Sequence, residues 1–351
     1  MTVAILTDDQ YMDHDYSAHP ENAERLRAIK AALERSPLRS RLAVVEPRPA
    51  TDEELLAAHT PAQIQAVSRA AAAGRAWLDV DTYVRPASYD VARLAAGAVV
   101  RATEAVLGGE ASSAFALVRP PGHHATRARA MGFCLFNNVA VAAYAALNRM
   151  GLERVAIIDW DVHHGNGTQD IFWEDGRVLY CSTHGYGRGF YPGTGAAEEI
   201  GVGAGHGTTL NVPLPFGAGD EALGAAFEQV IIPALRRFNP QLILISAGYD
   251  AHWADPLGSL TVSLSGYAHI AAMVYNLAQE CCEGRIVCAL EGGYNTQALA
   301  SCVLATLQVL TGEEGEVSDP FGAAPAGRSP SVEGILATIR RSHPLLTAGS
   351  E

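Results

Sequence analysis

The sequence of 351 residues holds a single lysine, Lys30, and only 18% charged residues, below the roughly 25% of an average soluble domain. Its 25 basic residues against 38 acidic ones form no basic block, which argues against a phosphate-binding face for nucleic acid. No apolar run approaches the ~20 residues of a membrane span, and the start Met1-Thr2-Val3-Ala4 lacks the basic and apolar regions of a secretion signal. A cytoplasmic location without a membrane partner is the expectation. The six cysteines (Cys134, Cys181, Cys281, Cys282, Cys288, Cys302) show no CxxC zinc spacing and lie mostly in apolar runs, so they read as reduced core residues. Glycine (34) and proline (18) follow no period, and with 48% hydrophobic residues the chain is neither collagen-like nor disordered. A net charge of −13 favours a cationic ligand without locating its site.

What is present is an alternation of strand and helix. The runs Val3–Thr7, Phe115–Arg119, Arg154–Asp161, Val178–Thr183, Leu242–Asp250 and Arg285–Glu291 read as strands. Several are almost continuously apolar, the pattern of parallel strands buried on both faces. Helical stretches lie between them at Asn22–Glu34, Tyr89–Leu107, Asn137–Asn148, Glu221–Phe238, Gly266–Glu280 and Gln297–Leu310. The order predicts an open, doubly wound α/β sheet in one domain spanning 1–351. The Gly/Pro/Ser-rich stretch from Gly312 to Ser331 is expected to cross the surface before a last helix near Val332–Arg341.

Ligands of such sheets sit at the carboxyl ends of the strands, where this chain concentrates its unusual chemistry. Pro120-Pro121-Gly122-His123-His124 follows one strand, Asp159-Trp160-Asp161-Val162-His163 ends another, and Gly248-Tyr249-Asp250 and Glu291-Gly292-Gly293-Tyr294 end two more. Period-two alternation puts Asp159, Asp161 and His163 on one side of an extended segment. Two carboxylates at an apolar strand end repel each other unless a cation or hydrogen bonds compensate. Asp161 and His163, joined by Asp250 from a neighbouring strand, make a mixed set that suits zinc with one position open. Asp159 is placed just behind, orienting an imidazole. The plain alternative is a hydrogen-bonded strand terminus with acids capping the next helix, which several termini would have to share.

His123 and His124 lie on a stiff Pro-Pro-Gly turn beside this site, an arrangement that favours proton transfer. A lone tyrosine is usually half-buried packing, but Tyr294 beside metal and histidines can donate a hydrogen bond to an oxyanion. Met131-Gly132-Phe133-Cys134 and Gly189-Phe190-Tyr191-Pro192 set aromatics next to glycines, as either a narrow slot or packing under loops.

Taken together, Arg119–His124, Gly132–Asn138, Asp159–Gly167, Gly189–Gly195, Gly248–Gly258 and Glu291–Tyr294 resemble the zinc-dependent histone deacetylases, from about His19-Pro20 to about Leu310. The likeness is greatest to class II and the bacterial deacetylase-like amidohydrolases. It implies the arginase–deacetylase fold with a central eight-stranded parallel sheet. It further implies zinc held by Asp161, His163 and Asp250, and His124 as general base and acid. His123 would be its partner held by Asp159, and Tyr294 would polarise the amide carbonyl. Gly132, Phe133 and Tyr191 would line an acetyl-lysine channel, whose second aromatic is more usually Phe. A structural potassium ion would sit at Asp159, Asp161, His163, Ser182 and Thr183, and Arg25 near an internal cavity. The implied reaction is amide hydrolysis releasing acetate and a free amine.

Asn166 stands where class I relatives carry Asp, and a neutral amide would leave His124 less basic than a carboxylate would. Leu257, in Asp255-Pro256-Leu257-Gly258, stands where polyamine-selective relatives carry Glu, and Tyr11–His19 is short where bacterial polyamine enzymes have an insertion. Both points favour an acetyl-lysine side chain of a protein or peptide over an acetylpolyamine. A two-manganese ureohydrolase would need carboxylates where this chain has Gly165 and His252. A binding module without catalysis would be expected to have lost a ligand, a histidine or Tyr294. The ligand set alone also permits iron or cobalt, and an oligomer is possible.

Overall fold

Val155–Asp159 (β6) and Leu242–Ala247 (β9) are buried at every residue. A strand made of Val, Ile and Leu without alternation can be stable only if both its faces are covered, each such side chain contributing roughly 1.5–3 kcal/mol on burial. The computed structural model describes residues 2–74, 76–313, 318–325 and 329–347 and shows that cover. Eight parallel strands form the central sheet. The others are β1 (Val3–Leu6), β2 (Leu42–Val44), β5 (Ser113–Ala116), β7 (Val178–Gly185), β8 (Thr209–Leu214) and β10 (Ile286–Leu290). Their order is β2-β1-β5-β10-β9-β6-β7-β8. A small antiparallel hairpin, β3 (Ala76–Trp77) with β4 (Tyr83–Val84), stands apart from it.

The helices form two packed groups. In one, α4 (Ser88–Leu107) and α5 (Asn138–Arg149) pack on each other, α4 against β5 and β10 and α5 against β6 and β9. To this group α2 (Asp52–Ala58) and α3 (Pro61–Ala72) attach. In the other, α10 (Thr296–Thr311) lies between α1 (Glu24–Arg35) and α9 (Leu264–Cys281) and reaches β1. The remaining helices are α6 (Asn166–Phe172), α7 (Asp220–Ala226), α8 (Ile232–Phe238), α11 (Glu333–Ser342) and α12 (Pro344–Thr347). One contiguous core runs from Val3 through Ile339. Five of the cysteines are buried, Cys281 is half-buried, and all six are free thiols.

The α/β alternation, the parallel sheet and the helix near Val332–Arg341 are as expected, with corrections of extent, and that helix is followed by α12 rather than being the last. The strand expected at Phe115–Arg119 ends at Ala116, that of Arg154–Asp161 at Asp159, and that of Leu242–Asp250 at Ala247. Pairing stops there, so Asp161, His163 and Asp250 fall on bent loops rather than on extended strand. The helix expected over Glu221–Phe238 is α7 and α8 joined by a π-helical stretch, Phe227–Ile231. Of the expected surface crossing, residues 314–317 and 326–328 lie outside the described residues, while 318–325 is mostly exposed.

The strand order decides where chemistry collects. β5, β10, β9 and β6 are consecutive neighbours at the centre of the sheet, and all point the same way. The four chemically loaded loops therefore emerge side by side.

Candidate active site

Asp161, His163 and Asp250 converge, each offering one ligand atom, with all three atoms within 4.8 Å of one another. The carboxylates are fully buried. The Gly292 N–H donates to Asp161 Oδ2 at 2.8 Å and the Val162 N–H to Asp250 Oδ1 at 2.8 Å, which aims the remaining lone pairs at the centre. Glycine is required behind them. A Cβ on Gly248 would lie 2.0 Å from Asp161 Oδ2, and one on Gly292 2.2 Å from Asp250 Oδ2. The cluster demands positive charge. Burial alone would lower the His163 imidazole, but the hydrogen bonds its Nδ1 donates to Asp161 and Asp250 at 3.1 and 3.2 Å raise it to about 10. Burial, and then the Asp161 charge, push the Asp250 carboxyl up. A buried mixed Asp/His set of this charge fits a divalent cation with an open coordination position.

The His pair behaves as two different groups. His123 Nδ1 lies 3.0 Å from Asp159 Oδ2, which also accepts from the Tyr180 hydroxyl at 3.2 Å. Burial disfavours the imidazolium of His123, but Asp159 and Asp161 outweigh it and raise the group well above its ordinary value. His124 Nδ1 meets the Asn166 side-chain oxygen at 2.8 Å. Burial first, then the charges of His123 and His163, hold it well below its ordinary value. One imidazole is therefore poised to hold a proton and its neighbour to accept one. The turn carrying both is fixed by Glu291, whose Oε2 accepts the N–H groups of Gly122 at 2.6 Å and His123 at 3.1 Å. Burial pushes that carboxyl up to about 7.

A cavity of about 270 Å³ leads to the site, lined by Asp81, His124, Gly132, Phe133, His163, Phe190, Tyr191, Leu257 and Tyr294. Gly132 packs so tightly that a Cβ there would lie 2.4 Å from the His124 ring. Phe133 takes a left-handed backbone conformation (φ 69°), costing on the order of 1–2 kcal/mol. Its N–H donates to Thr82 Oγ1 at 3.1 Å, and its ring stands edge-on to Tyr294 with centroids 5.7 Å apart. Tyr191 is edge-on to His124 at 5.0 Å, and Phe190 stacks on His163 at 5.1 Å. The slot is thus apolar along its walls and polar at its floor, the form of a site for an extended chain with a reactive end.

The other expected residues fall around this floor. Asp159 and Ser182 are direct neighbours across β6 and β7. Ser182 Oγ lies 2.8 Å from His184 Nδ1, and the Thr183 hydroxyl is buried without a hydrogen-bond partner among the described residues. Arg25 is buried beneath Tyr294, its Cζ 5.1 Å from the ring centroid. Sequence reasoning placed Phe190 only among the loop aromatics of a slot or of packing, and offered no role for Asp81, Glu291 or Asp255. The last binds the N–H groups of Tyr294 at 2.6 Å and Leu257 at 2.9 Å, tying two cavity walls together. Phe190 and Glu291 sit inside motifs already noted, whereas Asp81 reaches the cavity from the separate hairpin and carries no local signal.

Comparison with known proteins agrees with this geometry. The family model described as histone deacetylase domain matches residues 19–310. The chain is 43% identical over 305 residues to the histone deacetylase-like amidohydrolase of Pseudomonas aeruginosa, covering 87% of this chain and 80% of that one. It is 44% identical over 319 residues to histone deacetylase 10, chloroplastic, of Oryza sativa subsp. japonica, covering 86% and 72%. The crystal structure of the HDA15 HD domain superposes with a TM-score of 0.88 at 38% identity, covering 98% of this chain and 96% of that one.

Proposed function

The chain belongs to the histone deacetylase family of hydrolases, and from that premise we propose that it is a zinc-dependent amidohydrolase that removes the acetyl group from acetyl-lysine in proteins or peptides. The observation that carries the reading is the meeting of the Asp161–His163–Asp250 cluster with the His123–His124 pair at the floor of an aromatic-walled slot. Asp161, His163 and Asp250 would hold the zinc ion. When bound, zinc supplies Lewis-acid polarisation of the acetyl carbonyl and acidification of water. His124, neutral because burial and then the charge of His123 disfavour its own, takes the proton of the attacking water at Nε2 while Asn166 fixes its other nitrogen. His123, charged against Asp159, supports that transfer, and a proton returns to the departing amine. The Tyr294 hydroxyl donates to the carbonyl oxygen as negative charge develops there. Phe133 and Tyr191 flank the aliphatic stem and exclude water. A structural potassium ion at the β6–β7 edge, near Asp159, Asp161, His163, Ser182 and Thr183, completes the reading. The single catalytic domain is assigned to the whole chain, and its location to the cytoplasm.

Asn166→Asp tests the proton-transfer role. A carboxylate behind His124 raises the imidazole, and a base must be deprotonated to act, so the acid limb of the kcat/KM profile should move to higher pH by about one unit. An unshifted profile would count against His124 as base.

Leu257 offers a neutral wall where a distal ammonium would need a carboxylate, which favours acyl-lysine. Asp81 in the same lining favours the second reading, a small acetylated polyamine. Leu257→Glu should raise the ratio of acetylspermidine to acetyl-lysine turnover several-fold, the worth of one partly solvated ion pair of about 1 kcal/mol. A wild-type enzyme that prefers acetylspermidine would reverse the order of the two readings.

A further inference from the structure

We propose that Glu21, outside the catalytic constellation, is a positioning residue for Tyr294 and acts on it through Arg25. The inference rests on the reading of Tyr294 as the donor to the substrate carbonyl.

Glu21, Arg25 and Arg119 are 0%, 1% and 0% exposed. Arg119 grips the Glu21 carboxylate with both prongs of its fork, Nε to Oε1 at 2.6 Å and Nη2 to Oε2 at 2.8 Å. The Nη1 group of Arg25 donates to the same Oε1 at 3.1 Å, and the Tyr83 hydroxyl lies 3.3 Å from Oε2. One carboxylate is thus shared by two buried guanidinium ions. Burial opposes its ionisation, yet Arg119 and then Arg25 hold it down at about 2.

The two remaining faces of Arg25 end on the turn that carries Tyr294. Its Nε donates to the Gly293 carbonyl at 2.7 Å and its Nη2 to the Glu291 carbonyl. Gly293 has φ 120°, a conformation closed to residues with a side chain but open to glycine, so the turn needs glycine there. Asp255 grips the other side, accepting from the N–H groups of Tyr294 at 2.6 Å and Asn295 at 3.0 Å. The two clamps fix the backbone from which the phenol projects. An oxyanion donor must be placed to about 0.5 Å, and a displacement near 1 Å costs on the order of 100-fold in rate.

Glu21→Gln keeps the shape and removes the charge. Arg25 and Arg119 would then be two buried cations without their shared anion, facing one neutral amide whose NH₂ group points at one of them. Arg119 keeps the Tyr11 carbonyl at 2.9 Å, while Arg25 loses its only charged hydrogen-bond partner among the described residues and releases the turn.

The test is a double-mutant cycle on an acetyl-lysine peptide with the zinc-loaded wild type, Glu21→Gln, Tyr294→Phe and the double variant. Glu21→Gln should lower kcat roughly 10–100-fold with KM within about twofold, and should cost less than about twofold once Tyr294 is already Phe. Equal losses in both backgrounds, or no loss in kcat, would overturn the proposal. If Glu21→Gln does not fold, Arg25→Lys serves in its place, since an ammonium beside Glu21 keeps the charge but cannot span both carbonyls. The same cycle then applies, with equal losses again decisive against it. Inactivity of the wild type itself on acetyl-lysine and acetylspermidine would instead refute the functional reading on which this one rests.

Discussion

Asp250→Asn is expected to weaken zinc binding by more than about 100-fold and to reduce deacetylation to near background. Loss of a group that merely orients a metal ligand costs ~10–100-fold in affinity, and Asp250 offers the ligand atom itself. The fold should survive. Asn keeps an oxygen to accept the Val162 N–H, and the change removes one of two mutually repelling buried charges. A buried Asp whose carboxyl is pushed up contributes stability only in its protonated form, and that contribution is lost as pH rises through the raised pKa. Above that point the metal-free variant should therefore melt no lower than metal-free wild type. The distinguishing sign is the loss of the zinc-induced rise in melting temperature. Zinc titration followed by calorimetry and thermal melts reads both. A variant that still binds zinc like wild type would remove Asp250 from the ligand set.

Tyr294→Phe is expected to lower kcat by roughly 100–1,000-fold, the usual cost of losing one oxyanion donor, with KM nearly unchanged. Burial pushes the phenol well above its ordinary value against the opposing pull of Arg25, so it remains a donor across the working range of pH. Because the change deletes one oxygen facing the cavity, stability should stay within about 0.5 kcal/mol of wild type. A KM effect with unchanged kcat would make Tyr294 a wall of the slot rather than a donor.

The centre of the sheet could be read from the chain because its strands must be apolar throughout. Val155–Asp159, Leu242–Ala247 and Ile286–Leu290 announce themselves in that way. The edges could not. β2 is only three residues long with Val44 57% exposed, and β8 interrupts its apolar run with Asn211 and Pro213. The reactive residues were legible because they cluster directly after apolar runs, and the parallel order then forces them together. Residues that act across the fold left no such trace. Glu21 lies 98 positions from Arg119 and Asp255 lies 39 from Tyr294. Their partnership is set by how the segment before α1 and the loop after β9 pack, which no local pattern encodes. Asp81 enters the slot from a hairpin whose short strands carry almost no periodic signal.

The most direct measurement is release of acetate by zinc-loaded protein from an acetyl-lysine peptide and from acetylspermidine, side by side, with metal-stripped protein and Tyr294→Phe as controls. Turnover of the peptide is expected, faster than of acetylspermidine and collapsing in both controls. Acetate released from acetylspermidine alone would keep the site chemistry and contradict the substrate, and silence on both would contradict the enzyme itself.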